Sequence, residues 1–454
     1  MDPSMLEPSD PFVIPPSEKA GATAAAATKT PTGIIFRLSV MMFLQFFIWG
    51  SFFVPLGGYL GKIFAGQNVV GDIYSTNNWA AIIAPLFVGL IADRFFNSER
   101  VNALLQILGA GLLWKCSTIT DSPDRLFWWM LGYFVCYMPT LALVNTIAFQ
   151  NVASADNEFP KIRLWGTIGW IVAGLVVAQS VFGLFDLPVL PGYTDAGATN
   201  FPMKLGAVAS LIYGLYSFTL PATPPNGRGT PVSIAKMLGL DSLRLFLDPS
   251  FAVFALCSFL ISVPLAFYYA MTYPFVEAVS FGKQTAGVMA LGQVSELVFM
   301  ALVPFFFRKL GVKWMLLVGM LVWTLRYAVF GLAPSVPAML VLGIVIHGIC
   351  YDFFFVTGQI YTDRKAPKEI RASAQGLISL LTYGAGMLVG NKVLDWWTAR
   401  THLDAATRQG WLTGAKEFWL MPAGVALVVA VIFGLAFRDK AQGGKAAARD
   451  AELP

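Results

Sequence analysis

The sequence predicts an all-α membrane protein, with twelve transmembrane helices in two six-helix halves. Composition, the spacing of apolar runs and a twofold division of the chain lead to that class. Of the 454 residues, 56% are hydrophobic and only 13% are Asp, Glu, Lys or Arg, against roughly 25% charged in an ordinary soluble domain. The mean hydropathy is +0.65, and a soluble protein this apolar would expose large adhesive surfaces.

A helix crossing the bilayer needs about 20 mostly apolar residues. Twelve candidate runs follow in order: Leu38–Leu60, Trp79–Ile91 (extended back toward Tyr74), Val101–Trp114, Leu126–Ala148, Leu164–Leu184, Leu205–Leu220, Phe251–Tyr269, Ala286–Phe307, Trp314–Leu332, Ala338–Phe355, Ala374–Gly390 and Phe418–Phe437. The second, third and sixth are short and must borrow flanking residues. Residues 1–33 are rich in Pro, Ala and Ser without an apolar core, so they are expected to form a disordered cytoplasmic tail rather than a signal peptide. Residues 438–454 read as a second such tail. Cys116, Cys136, Cys257 and Cys350 lie in or beside apolar runs without metal-type spacing, so neither a disulfide nor a metal site is implied.

The distribution of basic residues sets the orientation. With both termini cytoplasmic, Lys and Arg favour the cytoplasmic side by more than two to one, as the positive-inside rule requires. The long loop assigned between the last two spans holds four of the basic residues left outside. The net charge of +5 therefore reflects topology and gives no reason to invoke nucleic acid.

Residues 34–220 and 251–437 each hold six runs and are equal in length, with the polar, Pro-rich connection 221–250 between them. Two six-helix halves joined by a central loop is the plan of the major facilitator superfamily, whose substrate site lies near the midplane between the halves. GLIADR, Gly89 to Arg94, ends the second run and resembles that superfamily's signature between spans two and three. Its later Gly and basic pair are replaced by FFNSER.

Charges inside the apolar runs point to transport. A carboxylate at bilayer depth costs several kcal/mol unless it faces a partner or a water-filled cavity. Glu296 sits in the middle of Ala286–Phe307, with Gln293 three residues before it on the same helix face. Glu accepts hydrogen bonds when ionised and donates when protonated, and Gln does both. The competing reading of Glu296 is a structural hydrogen bond between helices. In the tenth run His347, Tyr351 and Asp352 cluster at i, i+4 and i+5. Asp352 is a second candidate protonatable group, or else it bridges to Arg163 or Arg326 and holds the halves together. In the fifth run Arg163, Thr167 and Trp170 share one helix face, enough to hold a polar ring compound. Arg163 is equally explained as a headgroup anchor. Trp49, Tyr137, Asn145 and Gln375 are read as contacts between helices.

These residues fall in stretches that resemble the nucleoside:proton symporter family, the bacterial nucleoside permeases. The similar segments are FLQFFIWGS from Phe43, YMPTLALVNTI from Tyr137, FPKIRLWGTIGW from Phe159, GQVSE from Gly292, WTLRYAVF from Trp323, DFFFVTG from Asp352 and IRASAQG from Ile370. The resemblance spans nearly the whole chain outside the tails. It implies a proton-coupled importer of nucleosides, monomeric, in the bacterial inner membrane, with no cofactor. The family's binding Arg and Thr would fall on Arg163 and Thr167, its nearby aromatic on Trp170, its Gln and Glu on Gln293 and Glu296, and its tenth-span Asp on Asp352. Two departures stand out. A pair of amides in the family's seventh span is replaced by Ala266 and Tyr269, and a Tyr and a Phe in the tenth by His347 and Tyr351. The same fold carrying a sugar or nucleobase is the first alternative. A multi-pass enzyme or sensor is the second, opposed by short loops with no nucleophile–base pair and only two histidines.

Overall fold

The structure, a computed structural model, describes residues 29–87, 95–186, 196–225, 240–367 and 370–438. GLIADR lies outside the described residues, as do most of both expected tails. Twelve helical rods follow one another among the described residues. In the first half they are α1 (Thr32–Phe52, resuming as Leu56–Ile63), α2 (Val70–Phe87), α3 (Ser98–Cys116), α4 (Pro123–Asn151), α5 (Ala155–Ala178) and α6 (Phe201–Ser217). In the second they are α7 (Pro249–Val276), α8 (285–310), α9 (312–332), α10 (four segments from Pro337 to Lys365), α11 (three segments from Arg371 to Thr401) and α12 (Arg408–Ala436).

Among the described residues, seven runs are long and apolar enough to cross a bilayer, and one of them, Pro249–Leu332, covers α7, α8 and α9 together. The rods left over are α2, α3 and α6, the three that looked short in sequence. Buried polar residues interrupt two of them: Asn77 and Asn78 in α2, Asn102 and Gln106 in α3. The third, α6, is a 17-residue helix.

Caps and glycines set the ends. Asp248 caps α7 by accepting from the backbone N–H of Ser250 (2.8 Å) and Phe251 (3.2 Å), with Pro249 opening the helix. Lys365 donates to Asp248 at 2.6 Å, and that bond holds the Asp248 carboxyl below the ordinary carboxylate range. Gly311 separates α8 from α9 with φ 67° and ψ 176°, a conformation open to glycine. Pro55 interrupts α1. The Tyr74 hydroxyl bridges the break, donating to Phe53 O (2.6 Å) and accepting from Gly57 N (3.1 Å).

Three expectations need correction. The fifth span does not run to Leu184. Gln179 turns left-handed (φ 47°), and Ser180–Val181 then pairs antiparallel with Phe185–Asp186, the one two-stranded hairpin among the described residues. The helices also outrun their apolar cores, because polar residues continue the same hydrogen-bond ladder into the interface. Finally, the loop between α11 and α12 is short. Lys392, Arg400, Arg408 and Lys416 sit on helices, and only residues 402–407 connect them.

Within the first half α1 packs on α5 and α6, and α3 on α4 and α6; within the second, α7 packs on α11 and α12, and α8 on α10. The halves meet on the face opposite the termini. There Lys62 pairs with Glu277 (2.9 Å), Asp72 with Lys392, and Gly71 N donates to Asp395 (2.8 Å). The backbones of α1 and α7 touch so closely at Gly57 that a methyl group there would lie 2.0 Å from Ala270 O. This is a closed seal between the halves.

Candidate functional site

Beneath the seal lies a narrow cavity of about 20 Å³, room for a water molecule in this closed arrangement. Gly50, Trp170 and Gly174 line it from the first half, and Tyr268, Tyr269 and Gln293 from the second. Sequence-predicted residues from α5, α7 and α8 thus converge on one space. Trp170 meets Trp49 edge to face at 5.5 Å between rings, and Tyr269 meets Phe53 at 5.7 Å, giving the first-half wall an aromatic lining.

A polar cluster lies one turn along the helices from Gln293. Glu296 Oε2 stands 3.8 Å from Nε2 of His347. The contact exists because α8 and α10 cross closely: a methyl group at Gly348 would meet the Ser295 backbone at 2.5 Å. The α10 helix is broken at Ile346, and side chains of α8 and α9 partner four of the backbone groups around the break. Ser295 Oγ donates to Val345 O and accepts from Gly348 N. Arg326 Nε donates to Gly343 O at 2.7 Å, and its second nitrogen reaches Ile344 O at 3.5 Å. A helix break at bilayer depth is tolerated only with such compensation.

The Tyr268 ring lies between the Arg326 guanidinium, 3.9 Å from its centroid, and the His347 imidazole, stacked at 5.0 Å. Arg326 is therefore a structural cation whose charge rests on broken backbone and an aromatic face. Its expected bridge to Asp352 is not formed. Asp352 is fully buried and neither carboxylate oxygen has a hydrogen-bond partner, though it shares an electrostatic neighbourhood with Glu296.

Arg163 sits more than two turns into α5. Its guanidinium lies 4.1 Å over the Phe46 ring and within electrostatic range of Glu296, Tyr351 and Tyr137. It thus faces the interior, against the headgroup-anchor reading. Thr167 is half-buried one turn further along the same face. Tyr351 is half-buried, tilted against His347 at 5.4 Å, and its hydroxyl hydrogen-bonds the Tyr383 hydroxyl at 2.6 Å. Tyr268 and Tyr383 belong to the site and were missed in the sequence. No spacing rule marks them, since each is defined by a partner on another helix.

The seventh-span departure is now concrete. Ala266 is fully buried, and a methyl group placed at Gly390 would lie 2.7 Å from its Cβ, so no longer side chain fits there without parting α7 from α11. Of the two positions, Tyr269 faces the cavity and Ala266 does not. A ring face discriminates weakly among polar ligands, whereas buried amide partners discriminate strongly. Tyr269→Asn is expected to change relative KM values among nucleosides by roughly tenfold. Competition uptake measures this, and an unchanged substrate profile in folded protein would take Tyr269 out of the ligand's reach.

Two six-helix halves enclosing a central cavity with a buried polar cluster beside it define a secondary transporter of the major facilitator type. The nucleoside H+ symporter family model matches residues 32–442. The chain is 40% identical to YegT of Escherichia coli K12 over 407 residues, covering 89% of this chain and 93% of that one. It is 34% identical to the xanthosine permease of the same organism over 423 residues, covering 89% and 96%. The crystal structure of the nucleoside transporter NupG superposes with a TM-score of 0.77 at 29% identity, covering 90% of this chain and all of that one. The chain belongs to the nucleoside H+ symporter family; it is a membrane transporter and not an enzyme.

Proposed function

We propose that this protein imports nucleosides together with protons across the bacterial inner membrane by alternating access. Both termini are cytoplasmic, residues 34–220 and 251–437 act as the two moving halves, and a monomer in the lipid bilayer suffices. The observation that carries the reading is the Glu296–His347 pair, 3.8 Å apart beside a cavity between the halves. A carboxyl group there can exchange a proton and contact a ligand in the same place. Arg163, Thr167, Trp170, Gln293, Tyr269 and Tyr351 contact the nucleoside. Glu296 carries the coupling proton, with Asp352 as a second protonatable group. The 34% identity to a xanthosine permease makes purine nucleosides the first substrates to try.

In proteoliposomes an inward proton gradient should drive nucleoside accumulation, by up to about tenfold per pH unit for each proton coupled, since one pH unit is 1.36 kcal/mol. A protonophore should abolish it. Undiminished accumulation with a protonophore, or a requirement for sodium, would overturn the proton coupling. Preferential competition by sugars or free nucleobases would overturn the nucleoside.

A further inference from the structure

Tyr383 lies in a π-helical segment of α11, Leu380–Gly386. Such segments lengthen the hydrogen-bond step and leave a backbone carbonyl available, and they are frequent at functional sites. The carbonyl of Tyr383 is used by the other half of the molecule: Asn78 Nδ2 on α2 donates to it at 2.7 Å. Asn78 Oδ1 in turn accepts from Asn391 Nδ2 at 2.8 Å, so α2 is held to α11 at two levels by one amide. The same face carries Gly71–Asp395 and Asp72–Lys392. The other end of Tyr383 points elsewhere. Its hydroxyl bonds Tyr351 at 2.6 Å, and its ring stacks on Phe355 at 5.5 Å. Tyr351 packs on His347, which stands beside Glu296.

We propose that Tyr383 is the positioning residue through which the ligand site holds the seal between the halves shut. Its phenol belongs to the site and its main-chain carbonyl belongs to the seal. A ligand that draws Tyr351 aside removes the hydroxyl partner that fixes the π segment. The carbonyl then leaves Asn78, and α2 parts from α11. The ligand site and the seal are thus joined by a contiguous path, from the Tyr351 hydroxyl through Tyr383 to Asn78 and Asn391. The inference rests on the transporter reading for its ligand but not for its geometry.

The test is a double-mutant cycle on seal opening without ligand. Cysteines at exposed Gln67 and Ala406, on the two sides of the seal, carry spin labels in a background where the four native cysteines are replaced by alanine. Electron–electron double resonance then reads the open fraction. A net hydrogen bond is worth about 0.5–1.5 kcal/mol, so Asn78→Ala, which removes two, should raise the open-to-closed ratio about 5- to 150-fold. Tyr383→Phe, which loosens one of them, should raise it about 2- to 12-fold, and Tyr351→Phe, which removes the same hydroxyl bond from the other side, should match it. With Asn78→Ala already present, Tyr383→Phe should add nothing. Multiplying effects, or a Tyr383→Phe protein with the wild-type distribution, would overturn the inference.

A second arm adds uridine, adenosine and xanthosine. A nucleoside that quenches tryptophan fluorescence should open the wild-type seal and bind the Tyr383→Phe protein while moving its distribution less. Retention of the full ligand-driven shift in Tyr383→Phe would also overturn the inference. Failure of all three nucleosides to bind the wild type would overturn the nucleoside reading instead, and the ligand-free cycle would still decide the role of Tyr383.

Discussion

Glu296→Gln should abolish proton-driven accumulation of nucleoside while leaving substrate exchange in place. The substitution keeps the size of the side chain and its capacity to hydrogen-bond, and removes only the titration. Glu296 is placed for coupling by three facts together. It lies beside the imidazole of His347 at 3.8 Å, within electrostatic range of Arg163 on the opposite half, and one turn from Gln293 in the cavity wall. With a gradient of one pH unit, the wild type accumulates up to about tenfold per coupled proton, and the variant should fall to equal concentrations inside and out. Counterflow under the same conditions should persist within a few-fold. Asp352→Asn is the companion measurement, because Asp352 is the other buried carboxyl in the neighbourhood. Full accumulation with wild-type pH dependence in Glu296→Gln would rule out Glu296 as the coupling group, and loss of accumulation in Asp352→Asn alone would move that role to Asp352.

Much of the fold was legible because hydropathy is a local property. Each apolar run falls on a helix at least in part among the described residues, and of the runs that looked short, α2 and α3 carry buried amides and α6 is only 17 residues long. The ends were less legible, since a helix continues through polar residues wherever backbone bonds do, and α10 runs to Lys365, well past Phe355. The hairpin after Ala178 was hidden by its apolar residues, which read as helix until the left-handed Gln179 and Phe182 are seen.

The site divides along the same line. Spacing within one helix put Gln293 beside Glu296, and His347 beside Tyr351. It had no means of showing that Glu296 faces His347, because that contact depends on the close crossing at Gly348. Nor could it assign Arg326. In sequence a buried Arg invites a carboxylate partner, and Asp352 was available. The structure gives Arg326 two carbonyls freed by the break at Ile346 and the face of Tyr268, and leaves its Nη1 without a hydrogen-bond partner. A break in a helix is itself a local backbone event, but which side chain fills it is decided between helices.

Gly57→Ala should cut transport by about 5- to 150-fold without unfolding the protein. The added methyl group would lie 2.0 Å from the carbonyl oxygen of Ala270, and neither backbone can yield by rotating a side chain. Relieving the overlap requires α1 and α7 to part by roughly 1 Å at the level of the seal. Overpacking of this kind costs about 1–3 kcal/mol. Here the cost falls on one conformation only, the one in which the halves meet at Gly57, and that restriction yields the factor quoted. The seal has further ties at Lys62–Glu277, Asp72–Lys392 and Gly71–Asp395. The equilibrium should therefore shift toward the open seal rather than abolish the closed state. Gly61→Ala is the control, on the same helical segment with no atom within 4 Å of the new methyl group. Initial uptake rates should separate the two variants, and spin labels at Gln67 and Ala406 should show a larger open fraction in Gly57→Ala alone. Equal uptake by the two variants would mean that closing α1 against α7 is no part of the transport cycle.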